Sequence, residues 1–358
     1  MFQLKFFYKF RLYIFFLSYV LLFIKFSTSF VYADIYKITE LEISEPYEVN
    51  FNKQKIIENA FKKGFKELIK KITISKDSPK MDTANLKIIK RLVDSFTIVD
   101  EKFVDNKYFA TFDVNFNKKL VLKYLENNNI FPSMLIEKKL FIMPILVDLD
   151  KKQTLLFSEN FFYINWNNSI EKYHLLKYIL PNEDLEDIEI IKKNFENIED
   201  YNFKEIILKY DLKDYIIIIF FKNDNNLKTL SKININNKLI IVNELFENIE
   251  LDDEQSLNKV ILILKTNYEN QWKKINQINT SIKLPLTLQV ETKNYILIKE
   301  LENELSNLDL VSTFFIENFT SKITTYKIIY NSTPDRFIQE ITKNGIKLNT
   351  SFKIWRIQ

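Results

Sequence analysis

Apolar positions recur along this chain with three rhythms, and the changes of rhythm divide it. Over about 34–135, the strand-like DIYKITELEI leads into KQKIIENAFKKGFKELIKKIT, where Ile56, Ile57, Ala60, Phe61, Phe65, Leu68 and Ile72 recur at helical spacing. A second short helix, ANLKIIKRLV, precedes SFTIVDEKFVDNKYFATFDVNFN, whose two alternating runs flank Asp105-Asn106 and predict a β-hairpin. Another helix starts near Lys118 and stops around 127–129, ahead of Pro132.

From about 136 to 280 the pattern changes to buried strands separated by helices. KLFIMPILVD is apolar enough to be covered on both faces. A helical stretch is predicted around 166–173, then HLLKYILP as a short strand, helices over 185–198 and 202–210, and the strand YIIIIFF from Tyr215. Asn225-Asn226 and Asn236-Asn237 mark turns beside the strands NLKTLSKINI and KLIIVNELF. A long helix closes the segment, with Leu257, Val260, Ile261, Leu264, Tyr268, Trp272 and Ile275 on one stripe. Strands alternating with helices predict a layered α/β unit.

The last segment, 281–358, follows the order strand, helix, strand, strand, helix, strand. That is the βαββαβ plan of a ferredoxin-like unit, with Asn344-Gly345 as the left-handed stop after its second helix. The expected fold class is thus mixed α/β and α+β: an α+β domain at 34–135, an α/β domain at 136–280 and a ferredoxin-like domain at 281–358.

Residues 1–33 stand apart. Lys5, Lys9 and Arg11 precede an apolar run from Leu12 to Ile24, and a polar stretch ends Val31-Tyr32-Ala33. These are the parts of a secretory signal peptide cut after Ala33; the run is shorter than the roughly 20 residues of a spanning helix. A retained anchor is the alternative, favoured by Lys25 and the bulky residues near Phe30.

This leader changes the charge picture. The formal charge of +4 rests on 51 basic and 47 acidic residues, and the leader holds four of the basic ones and no acidic one. What remains is formally neutral, which leaves no surplus to drive phosphate-backbone binding, so no nucleic-acid partner is expected. Cysteine is absent. That excludes disulfides, thiolate chemistry and the lipid-bearing cysteine of a lipoprotein, so the expected product is a soluble periplasmic protein that meets the membrane only during export.

Candidate chemistry is sparse. PNEDLEDIEI, residues 181–190, gathers Glu183, Asp184, Glu186, Asp187 and Glu189. Asp184, with Asp187 three residues on and apolar positions following, has the form of a capped helix start. Partner or metal contact and acid–base work are the other readings, though no glycine supports a calcium loop. His174 is the only histidine and fits a packing role better than a general base without visible partners. Only Gly64 and Gly345 occur, so phosphate-cradling loops and nucleophile elbows are excluded and no cofactor is expected. Trp272 and Trp355 belong in cores; Trp166, in an Asn-rich neighbourhood, could be core or an exposed partner contact.

KLFIMPILVD, LLFSENFFYINW, PNEDLED and LKYDLKDYIIII, in that order, resemble an exported proteobacterial family of unknown function, seen mainly in alphaproteobacteria, whose pattern includes Pro-x-x-Asp-Leu-x-Asp. The helix with Ala60 and Leu68, the hairpin end NKYFATFDVNF and the closing NGIKLNTSFKIW also resemble it. Glu183 stands where that pattern usually has Gly, and Phe162 where it has Trp. The middle segment is similar in plan to the amino-terminal domain of the Tol-system translocation protein. The resemblance implies location and fold, and with the missing catalytic apparatus it points to a non-enzymatic binding or scaffolding component with an envelope protein partner. The alternative is a carboxylate-dependent periplasmic hydrolase using Asp184, Asp187 and His174, which requires the three to converge in one pocket.

Overall fold

The computed structural model describes residues 36–168, 173–308, 310–352 and 354–357. The leader and its cleavage point after Ala33 lie outside the described residues. The fold is mixed α/β, built around three sheets.

The first sheet has three antiparallel strands. Its elements run β1 (Lys37–Pro46), α1 (Lys53–Ile72), α2 (Leu86–Leu92), β2 (Val93–Val104), β3 (Lys107–Phe116) and α3 (Lys118–Asn127), with strand order β1-β3-β2. Asp105 and Asn106 both take positive φ, 49° and 57°, as a tight hairpin turn between β2 and β3 requires. In β3 every second residue, Tyr108, Ala110, Phe112, Val114 and Phe116, is buried. The stripe Ile56, Ala60, Phe65, Leu68 and Ile72 of α1 joins the same core. Gly64 lets the helix approach closely, because a Cβ there would lie 2.8 Å from Leu41 Cδ1.

The second sheet has six strands. Its elements are β4 (Lys138–Asp148), β5 (Gln153–Leu155), α4 (Phe161–Asn165), β6 (Leu176–Ile179), α5 (Leu185–Lys193), α6 (Lys204–Leu208), β7 (Tyr215–Asn223), β8 (Asn226–Ile235), β9 (Lys238–Phe246) and α7 (Glu254–Ile275). The order is β5-β4-β7-β8-β9, with β6 also on β4; β6 and β7 run parallel to β4 and the other pairs are antiparallel. Strand β4 is covered on both faces. Leu140, Ile142 and Leu146 pack with Leu257, Val260, Ile261 and Leu264 of α7, whereas Phe141, Met143, Ile145 and Val147 pack with Ile191 of α5 and Ile206 and Ile207 of α6. The result is a sheet between two helical layers.

Two expectations for this segment are corrected. The helix placed at 166–173 is instead Phe161–Asn165, started by the Asn160 side chain accepting from the Phe162 N–H; residues 169–172 lie outside the described residues. The helix expected to run to 198 stops at Lys193, where the Asn194 side chain and backbone both donate to the Ile190 carbonyl.

The third sheet comprises β10 (Leu284–Glu291), α8 (Tyr295–Asn307), β11 (Val311–Phe319), β12 (Ile323–Tyr330), α9 (Pro334–Lys343), β13 (Leu348–Asn349) and β14 (Trp355–Ile357), in strand order β11-β12-β10-β14-β13. Gly345, with φ +95°, ends α9. The single closing strand expected after it is corrected to two short antiparallel strands. The extra reversal makes β14 run parallel to β10.

Adjacent units interlock at the end of α7. Lys273 Nζ donates to the Lys70 carbonyl in the last turn of α1 at 2.6 Å, and Trp272 Nε1 donates to the Ile136 carbonyl at 2.7 Å. Ser133 N–H donates to the Ile72 carbonyl, and Ile278 N–H to the Pro132 carbonyl. Among the described residues no helix is long and apolar enough to cross a membrane.

Candidate functional site

The acidic stretch forms a clamp. Asp184 caps α5, its Oδ1 accepting from the Glu186 N–H at 2.8 Å. Lys209, just after α6, donates to Asp184 Oδ2 at 2.9 Å and to Asp187 Oδ1 at 2.8 Å. Asp187 is buried, and its Oδ2 has no partner. The Lys209 hydrogen bond, then the Glu186 N–H, hold the Asp184 carboxyl below the usual carboxylate range. Lys209 is pushed up in turn, first by Asp187 and then by Asp184. A carboxylate held ionised in this way is a poor proton donor. Around them Tyr163 OH donates to the Pro181 carbonyl at 2.5 Å and the Asn182 N–H donates to Tyr210 OH at 2.7 Å. Asp184 and Asp187 of the Pro-x-x-Asp-Leu-x-Asp run therefore tie α5 to the turn after α6, and Pro181 is held by Tyr163 of α4, while Leu185 projects outward, 82% exposed.

His174 lies in a second cluster, on the α7 side of the sheet. Lys265, Glu269 and Lys273 recur every fourth residue along α7, and all three are buried. Lys265 Nζ stands 5.9 Å from the Trp166 ring centroid and 5.8 Å from that of Tyr178. Glu269 Oε1 accepts from the Leu176 N–H at 2.7 Å, fastening α7 to β6. Burial raises the Glu269 pKa, opposed by the Leu176 and Leu175 N–H groups and by Lys273. Burial lowers Lys273 to about 8, with Glu269 pulling the other way. His174 is lowered to about 4, by burial first and then by Lys265, Lys273 and Lys177, so it is neutral at pH 7. Trp166 Nε1, His174 Nε2, Tyr178 OH and Glu269 Oε2 have no hydrogen-bond partner. Each such group costs about 1–3 kcal/mol when buried.

The structure does not bring the three residues of the hydrolase alternative together. Asp184 and Asp187 share Lys209 beside α5 and α6, whereas the charges acting on His174 are Lys265 and Lys273 of α7 and Lys177 of β6, across the sheet. Trp166 is corrected from a possible partner contact to a core residue: it is fully buried and lies edge-on to Tyr178 at 5.7 Å. Among the described residues no group of three or more His, Asp or Glu side chains could hold a metal ion.

Sequence reasoning missed Lys265, Glu269 and Lys273. The signal was available: they fall on the same helical stripe as Ile261, Tyr268 and Trp272, so charges were due to be buried wherever that stripe met the sheet.

Each sheet also leaves an edge strand with outward apolar side chains. On β2 these are Phe96, Val99, Phe103 and Val104; on β9, Leu239, Ile241 and Leu245; on β11, Phe315, Ile316 and Phe319. At the β2 end, Phe103 meets Tyr47 and Tyr108, each with ring centroids 4.9 Å apart, forming an aromatic tip. Such edges offer unpaired backbone groups together with apolar contact area. No protein-family model matches the chain, and no curated protein matches it.

Proposed function

We propose that this chain is an exported periplasmic protein of the bacterial cell envelope that binds or scaffolds other envelope proteins and carries out no catalysis of its own. The observation that supports this most is the set of three apolar sheet edges, since strand addition at an open edge is a general mode of protein recognition. The leader of residues 1–33, cut after Ala33, supplies the export. Three domains at 34–135, 136–280 and 281–358 supply separate contact surfaces, the middle one similar in plan to the amino-terminal domain of the Tol-system translocation protein and the last a variant of the ferredoxin-like plan. Kinship with the exported proteobacterial family of unknown function is part of the same reading. Likeness of plan alone does not transfer a role. The hydrolase alternative lacks support where it needed it, because Asp184 and Asp187 are both ion-paired with Lys209, away from His174.

Crosslinking in intact cells, with identification of co-purified envelope proteins and amino-terminal sequencing of the recovered chain, tests the proposal. A specific partner and a chain beginning at Asp34 are expected. No partner, or a chain recovered from the cytosol, would refute it.

A further inference from the structure

The chain carries two surfaces of opposite charge, one a groove and the other a knob. The groove lies between α1 and the segment leading through α2, a cavity of about 450 Å³. Phe65, Ile69, Met81 and Ile89 form its apolar floor, and Lys62 and Lys66, with a single carboxylate, Asp82, stand on its rim. Residues 53–92, which build it, hold twelve Lys and Arg against four Asp and Glu. Lys62 and Lys66 are exposed, and Lys62 also acts on the Glu58 carboxylate one turn earlier.

The knob is the start of α5. Leu185 projects from the protein between Glu183 and Glu186, with Glu189 one turn further, and all three glutamates are exposed. Residues 181–205 hold nine Asp and Glu against three Lys. An isolated exposed leucine is unremarkable on its own. Here it is the apolar centre of an acidic surface, in a chain whose basic surface surrounds an apolar cavity.

The two cannot satisfy each other within one copy. The first unit docks at the end of α7, through Ser75 with Asn270 and Lys70 with Lys273, whereas α5 packs on the opposite face of the six-stranded sheet. We infer that the groove of one copy receives Leu185 of a second copy, with Glu183, Glu186 and Glu189 meeting Lys62 and Lys66, so that the chain assembles head to tail. This rests on the scaffolding role proposed above. A joined pair then keeps one free groove and one free knob, so the contact propagates into a ring or a filament instead of closing as a two-fold dimer. Burial of Leu185 provides contact area at the centre, and the exposed charge pairs provide orientation and steering that salt weakens.

Sedimentation of the purified full chain lacking residues 1–33 tests this with two charge-reversed variants, K62E/K66E and E186K/E189K. The wild-type mass is expected to rise with concentration and fall with salt. Each variant alone should be monomeric, and an equimolar mixture should assemble again, since the intact knob of one variant meets the intact groove of the other and the two charge-reversed surfaces are likewise complementary. Leu185→Ser, a neutral change at an exposed site, should also abolish assembly while leaving the thermal melt unchanged. A wild-type chain that stays monomeric, variants that assemble like the wild type, or a mixture that stays monomeric would each overturn the inference. Crosslinks from the sheet edges should persist in both variants, because those edges lie outside groove and knob. A monomeric wild type that keeps them would refute only the head-to-tail contact and not the wider contact role.

Discussion

Lys209 Nζ lies 2.8 Å from Asp187 Oδ1 and neutralises a carboxylate buried at the root of α5. Removing a partner from a buried pair leaves an uncompensated charge, which is worse than removing both. Lys209→Met should therefore destabilise the chain by about 1–3 kcal/mol, the lower part of the range reflecting water access from the lysine side. Urea denaturation of K209M and K209M/D187N checks this, and the double variant should recover part of the loss.

His174 makes stability depend on pH in a defined window. Its folded pKa of about 4 lies below the ordinary 6.5, so between those values the unfolded chain binds the proton and the folded one does not. Stability from the neutral imidazole is complete above 6.5 and is lost as pH falls toward 4, by about 2–3 kcal/mol. Glu269, whose pKa burial raises, works in the opposite direction as it takes up a proton. The comparison that isolates the histidine is wild type against His174→Gln, and the variant should show the shallower acid slope.

Lys273 acts at the other end of the scale. With a folded pKa of about 8 against an ordinary 10.5, it gives up its proton in the folded chain first, so stability should rise as pH climbs through that interval. Lys273→Met should remove this rise. It also deletes the bond to the Lys70 carbonyl, so faster proteolysis at the junction of the first two units is expected.

Much of the fold was legible in the sequence, because β3, β8, β9 and α7 combine strong period with clear stops. Asn236 and Asn237 take positive φ between β8 and β9, as that dipeptide predicted. The misreadings share a physical cause. Around Trp166, asparagines compete with the helix for backbone hydrogen bonds, and at 346–357 one run of strand-forming residues does not reveal where it reverses. The helix-cap role of Asp184 followed from spacing alone, but its bond to Lys209, 25 residues away, did not. Burial of Lys265, Glu269 and Lys273 depended on which face of α7 met the sheet.

Packing in the middle sheet gives a further test. The Phe162 and Phe220 rings are stacked with centroids 3.7 Å apart, and both residues are fully buried. Phe220→Ala should cost about 3–5 kcal/mol by thermal or urea unfolding. Phe162→Leu should cost less, since it leaves a smaller void.

The contact role is tested most directly by photo-crosslinking in intact cells from single positions on the three edges, Phe103, Ile241 and Phe315, with buried Leu264 as control. The account predicts discrete adducts of an envelope protein from at least one edge and none from Leu264. Absence of adducts from all three edges, together with hydrolytic turnover by the purified chain, would contradict it.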